Sequence, residues 1–242
     1  MGSKVVLAEV TDNFLSEITG RYALEYAKLT KASLMLCLVH EKSIDFEKAE
    51  KILERLFLEA EGLKLEVGCF IKPGERYREL KGIITKESVD LAFLVLNELK
   101  SLLKLPCSLA LFKFIHLGKI SPRRILGLLR EGQDKVEEGL DFLVALSKIF
   151  EAKLYLCCVG KEDAFERVMK RLRQSDVQYE IKFFERLSHR ALTFEILSKK
   201  VDLLVIERYK EGFISLVKKD PVKRLIEHPP CNIILFRPHL NP

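Results

Sequence analysis

Two kinds of hydrophobic pattern alternate along the chain. Val5–Val10, "ASLMLCLV" (32–39), "VDLAFLVL" (89–96) and "CSLALF" (107–112) are apolar almost throughout. Between them lie longer stretches in which apolar residues return every three or four positions. The first kind reads as strands buried on both faces, the second as amphipathic helices that cover them. Leu15, Ile18, Tyr22, Tyr26 and Leu29 predict a helix after the first strand, with Thr11 and Asp12 as its capping residues. Phe46, Ala49, Ile52, Leu53, Leu56 and Phe57 predict a second, with Gly62 at its stop. Leu63, Leu65, Val67 and Cys69 alternate as a third strand, and a shorter helix is predicted over about 75–87.

The pattern then repeats. "KVVLAEV" (4–10) matches "RILGLLR" (124–130) and "ASLMLCLV" matches "AKLYLCCV" (152–159), both at an offset of 120. "PCSLALFK" (106–113) matches "PCNIILFR" (230–237) at an offset of 124. Three matches in one order at nearly one spacing indicate a duplicated domain. Val177, Tyr179, Ile181 and Phe183 supply the alternating third strand of the second copy. "IHLGKISPR", with Gly118 and Pro122, reads as the linker and sets the domains at 1–117 and 118–242. Apolar strands interleaved with amphipathic helices predict, in each half, a parallel sheet covered on both faces. Ligands in such sheets bind beyond the C-terminal ends of the strands, where the strand order reverses.

Composition narrows the function classes. The chain has 242 residues, 48% of them apolar, enough for real cores. It holds no run of eighteen apolar residues, so no membrane insertion is expected. It does not open with a basic stretch followed by an apolar one, so no secretion signal is expected either. Six cysteines form no C-x-x-C pair, and five lie in or beside apolar runs, which reads as buried thiols in a reducing, cytoplasmic setting. The net charge of +6 belongs wholly to the second half: residues 1–117 hold 17 basic and 17 acidic side chains, residues 118–242 hold 24 and 18. That asymmetry admits an anionic partner. It does not make a nucleic-acid-binding surface, because aromatic stacking residues are not interleaved with the basic ones.

Motifs that carry chemistry are absent. There is no G-x-G-x-x-G, P-loop or G-x-S-x-G, and "GKIS" (118–121) lacks the upstream glycine of a phosphate loop. His40, His116, His189, His228 and His239 are scattered without metal-ligand spacing. No catalytic residue and no metal ligand are assigned. His40, after the second strand, reads as a solvated or core-edge residue.

Five pieces in order resemble the universal stress protein family in its tandem form. They are "ILGLLREGQDKVEEGLDFLVALS", "AKLYLCCV", "KPGERYREL", "VDLLVI" and "HPPCNIILFRP". The resemblance implies two five-stranded parallel α/β sandwich domains, Rossmann-like in their layering. It also implies a pseudo-dimer within the chain. Each half ends in an apolar strand that would be an exposed sheet edge in isolation, and the family pairs such edges across a dimer interface. Leu109, Leu111, Ile233 and Leu235 are then expected near the pseudo-twofold axis. Further homodimerisation is left open.

ATP-binding members of that family carry Gly, two residues, Gly, nine residues, then Gly with Ser or Thr. Laid on this sequence, those four positions are Glu207, Lys210, Asp220 and Pro221. The nucleotide-facing aspartate after the first strand is replaced by Arg130, and in the first half by Val10 or Thr11, with Asp12 nearby. Asp220 and Pro221 form a helix start in which the Asp220 carboxylate is expected to cap the N–H groups a phosphate would need. In the first half only "NELKSLLKL" separates the last two strands, too short for the phosphate loop and its helix.

No cofactor is therefore expected, ATP included. Arg130, Arg208, Lys210, Lys218 and Lys219 border the second-half cleft and are the candidate site for a small anionic ligand. Glu207, Glu211 and Asp220 are interleaved with them, so ordinary surface ion pairs are the simpler reading. The expected function is that of a cytoplasmic, non-enzymatic stress-response or regulatory protein that binds a protein partner or a small ligand. The alternative is a nucleotide-binding protein with a non-standard phosphate grip and weak ATPase activity.

Overall fold

The structure, a computed structural model, describes residues 4–97, 99–113, 122–132, 136–207 and 221–238, with the backbone alone for 221–223. The chain divides into two compact units, Met1–Ser121 and Pro122–Pro242.

The first unit runs β1 (Val5–Val10), α1 (Phe14–Thr30), β2 (Ser33–His40), α2 (Phe46–Gly62), β3 (Val67–Pro73), α3 (Arg76–Lys86), β4 (Leu91–Val95), α4 (Leu99–Leu102) and β5 (Ser108–Phe112). Its strands lie in the order β3-β2-β1-β4-β5, all parallel. The first two crossovers step one way along the sheet and the last two step back. Right-handed connections then place α1 and α2 on one face, α3 and α4 on the other. The order reverses between β1 and β4, whose C-terminal ends flank the crevice where a ligand would enter.

The second unit repeats this plan: β6 (Arg124–Arg130), α5 (Val136–Ile149), β7 (Lys153–Val159), a 3-10 turn (Glu162–Phe165), α6 (Glu166–Arg173), β8 (Tyr179–Phe184), α7 (His189–Ser198), β9 (Leu203–Glu207), α8 (Pro221–Glu227) and β10 (Asn232–Phe236). Its order is β10-β9-β6-β7-β8, again parallel.

Local details depart from the sequence reading at four points. First, α1 is capped by Asn13, whose Oδ1 accepts the Ser16 N–H at 2.8 Å, and not by Thr11 or Asp12. Thr11 supports the cap instead, accepting a hydrogen bond from the Asn13 side-chain amide. Second, α2 runs through Gly62, and the left-handed residue that ends it is Lys64, at φ 57°. Leu65 N–H bonds back to the Ala60 carbonyl, so Leu63 and Leu65 belong to the helix exit and β3 starts only at Val67.

Third, α1 seats small residues on its neighbours. A side chain at Gly20 would come within 2.4 Å of Leu56 Cδ1, whereas Leu29 is exposed beyond the covered face. Fourth, strand pairing shifts the repeat by one residue. Val6 and Ile125 occupy equivalent places beside Leu91 and Leu203, an offset of 119. Thr11, not Val10, is therefore the counterpart of Arg130, and the counterpart of Glu9 is Leu128. A one-residue shift matters because it turns every side chain to the other face of the sheet.

Candidate functional site

The crevice of the first unit is built around a carboxylate inside an apolar strand. Glu9, next to last in β1, is 1% exposed. A charge in such a place requires a partner, and Arg76 supplies it from the first residue of α3. Arg76 is 8% exposed, and its guanidinium grips Glu9 through both oxygens, Nε to Oε1 and Nη2 to Oε2, each at 2.5 Å. Its Nη1 donates to Asn97 Oδ1, just beyond β4, and Nη2 also reaches the Val95 carbonyl at 3.4 Å. One arginine thus ties together β1, β4 and α3 at the reversal of strand order.

The N-terminus of α3 is closed as well. Arg76 N–H donates to Glu41 Oε1 (2.7 Å), Tyr77 N–H to Glu75 Oε1 (3.0 Å) and Arg78 N–H to Glu75 Oε2 (2.8 Å). Helix N-termini attract anions through such donors, and here the donors face the chain's own carboxylates. Between β4 and β5 the described backbone forms only the single turn α4.

Sequence reasoning missed Glu9, Arg76, Glu41 and Asn97. The available signal was a glutamate within "VVLAEV", since a charge in a strand buried on both faces must be paired.

In the second unit Arg130 ends β6, half-buried. Beside it Glu131 donates its backbone N–H to the Val159 carbonyl (2.8 Å), and its carboxylate accepts the Lys161 N–H (2.9 Å). Gly160, at φ 139°, lets β7 turn under that side chain: a Cβ there would meet Glu131 Cβ at 2.4 Å. The two positions that form the ion pair of the first unit carry no such pair here. Leu128 replaces Glu9, and α7 opens with His189, after its cap Ser188, where α3 opens with Arg76. Of the five basic candidates, Arg208, Lys210, Lys218 and Lys219 lie outside the described residues, as does the capping candidate Asp220. Pro221 is the first residue of α8.

Among the described residues no three His, Cys, Asp or Glu side chains come together to hold a metal ion. His40 is exposed, its ring 4.8 Å from that of Phe46. Five cysteines are buried and Cys69 is exposed, all six as free thiols. Burial pushes the thiols of Cys37, Cys157, Cys158 and Cys231 up to about 12. They are poor nucleophiles. Among the described residues no helix is long and apolar enough to cross a membrane.

No family model matches the chain, and no curated protein matches it significantly. Solved structures do. A universal stress protein from Archaeoglobus fulgidus superposes with a TM-score of 0.76 at 13% identity, over 98% of this chain and 99% of that one. A putative universal stress protein from Pseudomonas aeruginosa gives 0.72 at 14% identity, over 98% and 94%. The cytoplasmic domain of a prokaryotic cation chloride cotransporter gives 0.54 at 13% identity, over 97% and 95%. At such identities the likeness is one of fold. The chain therefore has the universal stress protein fold, along nearly its whole length.

Proposed function

We propose that this protein is a cytoplasmic stress-response or regulatory protein of the universal-stress type that acts by binding, without enzymatic activity. The observation that carries the reading is the Glu9–Arg76–Asn97 cluster. It fills the crevice of the first unit with a paired charge, and the Glu41 and Glu75 carboxylates at the N-terminus of α3 add repulsion toward phosphate. The first unit is then a scaffold, and ligand binding falls to the second.

There Arg130, with Arg208, Lys210, Lys218 and Lys219 following β9 in sequence, is assigned to a small anionic ligand or an acidic partner surface, with no role for nucleic acid. Asp220 and Pro221 are assigned to closing the phosphate loop. The cluster of basic residues also supports the second reading, a nucleotide held by a non-standard grip with weak ATPase activity. Isothermal titration with ATP separates the two. The first reading expects binding no tighter than about millimolar, near −4 kcal/mol. A micromolar dissociation constant that Arg130→Ala raises would overturn it in favour of the second.

A further inference from the structure

One edge of the first unit's sheet is β3, which ends the strand order β3-β2-β1-β4-β5. Its backbone orientation follows from two hydrogen bonds: Leu34 N–H to the Glu66 carbonyl (2.8 Å) and Gly74 N–H to the His40 carbonyl (3.3 Å). The even-numbered residues of β3 thus turn both backbone groups toward β2. Val67, Cys69 and Ile71 turn theirs outward. Open edges of this kind template further pairing, and proteins blunt them with charges, bulges or covering loops. This edge instead keeps Cys69 exposed and Ile71 46% exposed.

We propose that β3 is a self-association edge, on which a second copy of this chain adds its own β3 antiparallel, with the twofold axis at Cys69. The sequence around that residue is complementary to its own reverse. Antiparallel pairing about Cys69 sets Val67 opposite Ile71, a β-branched pair on either side of the axis. It sets Glu66 opposite Lys72, twice. It also sets Gly68 opposite Phe70. No atom lies within 4 Å of where a Gly68 Cβ would stand, so the partner's ring has open space to cover. Residues with outward backbone groups then face one another, as a hydrogen-bonded ladder requires.

Neighbouring registers lose these features. Pairing centred on Gly68 sets Lys64 against Lys72. Pairing centred on Phe70 puts Pro73, which has no N–H, inside the ladder opposite Val67. A parallel, in-register pair would place Lys72 on Lys72. In the second unit β8 likewise ends the strand order, but its charges are committed within that unit: Glu180 accepts from Lys153 and Lys199, and Lys182 pairs with Glu195. The Glu66 carboxylate accepts the Ser33 hydroxyl, and Lys72 is exposed.

The inference is independent of what the second unit binds. Its test uses the full chain. Sedimentation equilibrium should show a reversible dimer in the micromolar range, and a short thiol-to-thiol crosslinker should trap it through Cys69. Lys72→Glu sets like charges opposite at two sites and should weaken the dimer roughly tenfold. Glu66→Lys added to Lys72→Glu should restore it. A chain monomeric throughout that range overturns the proposal. So does a dimer that resists Lys72→Glu, or one that Cys69 does not crosslink.

Discussion

Replacing Glu9 with leucine would install in the first unit the residue type that the second unit carries at Leu128. It would leave the Arg76 guanidinium buried without its carboxylate partner, facing Asn97 Oδ1 and the Val95 carbonyl. At the 2.5 Å separation of the Arg76–Glu9 pair and an effective dielectric of about 20, the gross attraction is about 7 kcal/mol. Desolvating the two ions costs several kcal/mol each, so the intact pair contributes little net stability. Breaking it is another matter. Glu9→Leu is expected to lose about 3–5 kcal/mol, a large share of the 5–15 kcal/mol typical of a whole domain. In urea that is a midpoint shift on the order of 2 M for the transition of the first unit.

The chain has no tryptophan, so far-UV circular dichroism is the suitable probe. The double variant Glu9→Leu with Arg76→Met removes both charges while keeping most of the volume. Asn97 is exposed and can turn to water. It should recover most of the loss, giving a coupling energy of at least about 2 kcal/mol. A single variant that loses less than about 1 kcal/mol, or a double variant no better than the single, would falsify the view that this crevice is held shut by a buried ion pair.

Three further outcomes are expected. Glu17 accepts from Arg55 and Arg21, and chiefly its bond with Arg55 holds its carboxyl below the ordinary 4.5. Because the folded-state value is depressed, its contribution is complete above the unfolded value and is lost as pH falls through the folded one. Glu17→Gln should therefore cost about 1 kcal/mol at neutral pH and nothing once both forms are protonated, as read from urea midpoints across the acid range. Ellman titration of the native protein at mildly alkaline pH should report one fast thiol, Cys69, and six after denaturation; loss of the fast thiol in Cys69→Ser checks the assignment. Separately expressed residues 1–121 and 122–242 should aggregate, self-associate or reassemble if the units pair through their final strands, and two stable, monomeric, non-interacting halves would remove that pairing.

Strands and helices were legible in the sequence because hydrophobic periodicity is a local property. "VVLAEV" and "SLMLCLVH" have no polar face, so they have to lie inside a sheet covered on both sides. The likeness of the two halves was legible for the same reason, since each unit solves the same burial problem with the same strand order. Boundaries were less so: "LKLEV" alternates like a strand, yet its leading residues follow α2 out through the left-handed Lys64. The basic residues after β9 were read from the sequence as a candidate site, but apart from Arg130 they lie outside the described residues.

The Glu9–Arg76 pair belonged to the tertiary structure alone. Glu9 and Arg76 are 67 residues apart, and only the crossover that brings α3 back over the sheet lets them meet. The same holds for the thiols. Cys37 and Cys69 sit in equally apolar sequence, but β2 is flanked by β1 and β3 whereas β3 ends the order. Which strand becomes an edge depends on the order of pairing, a property of the whole sheet that no single segment carries.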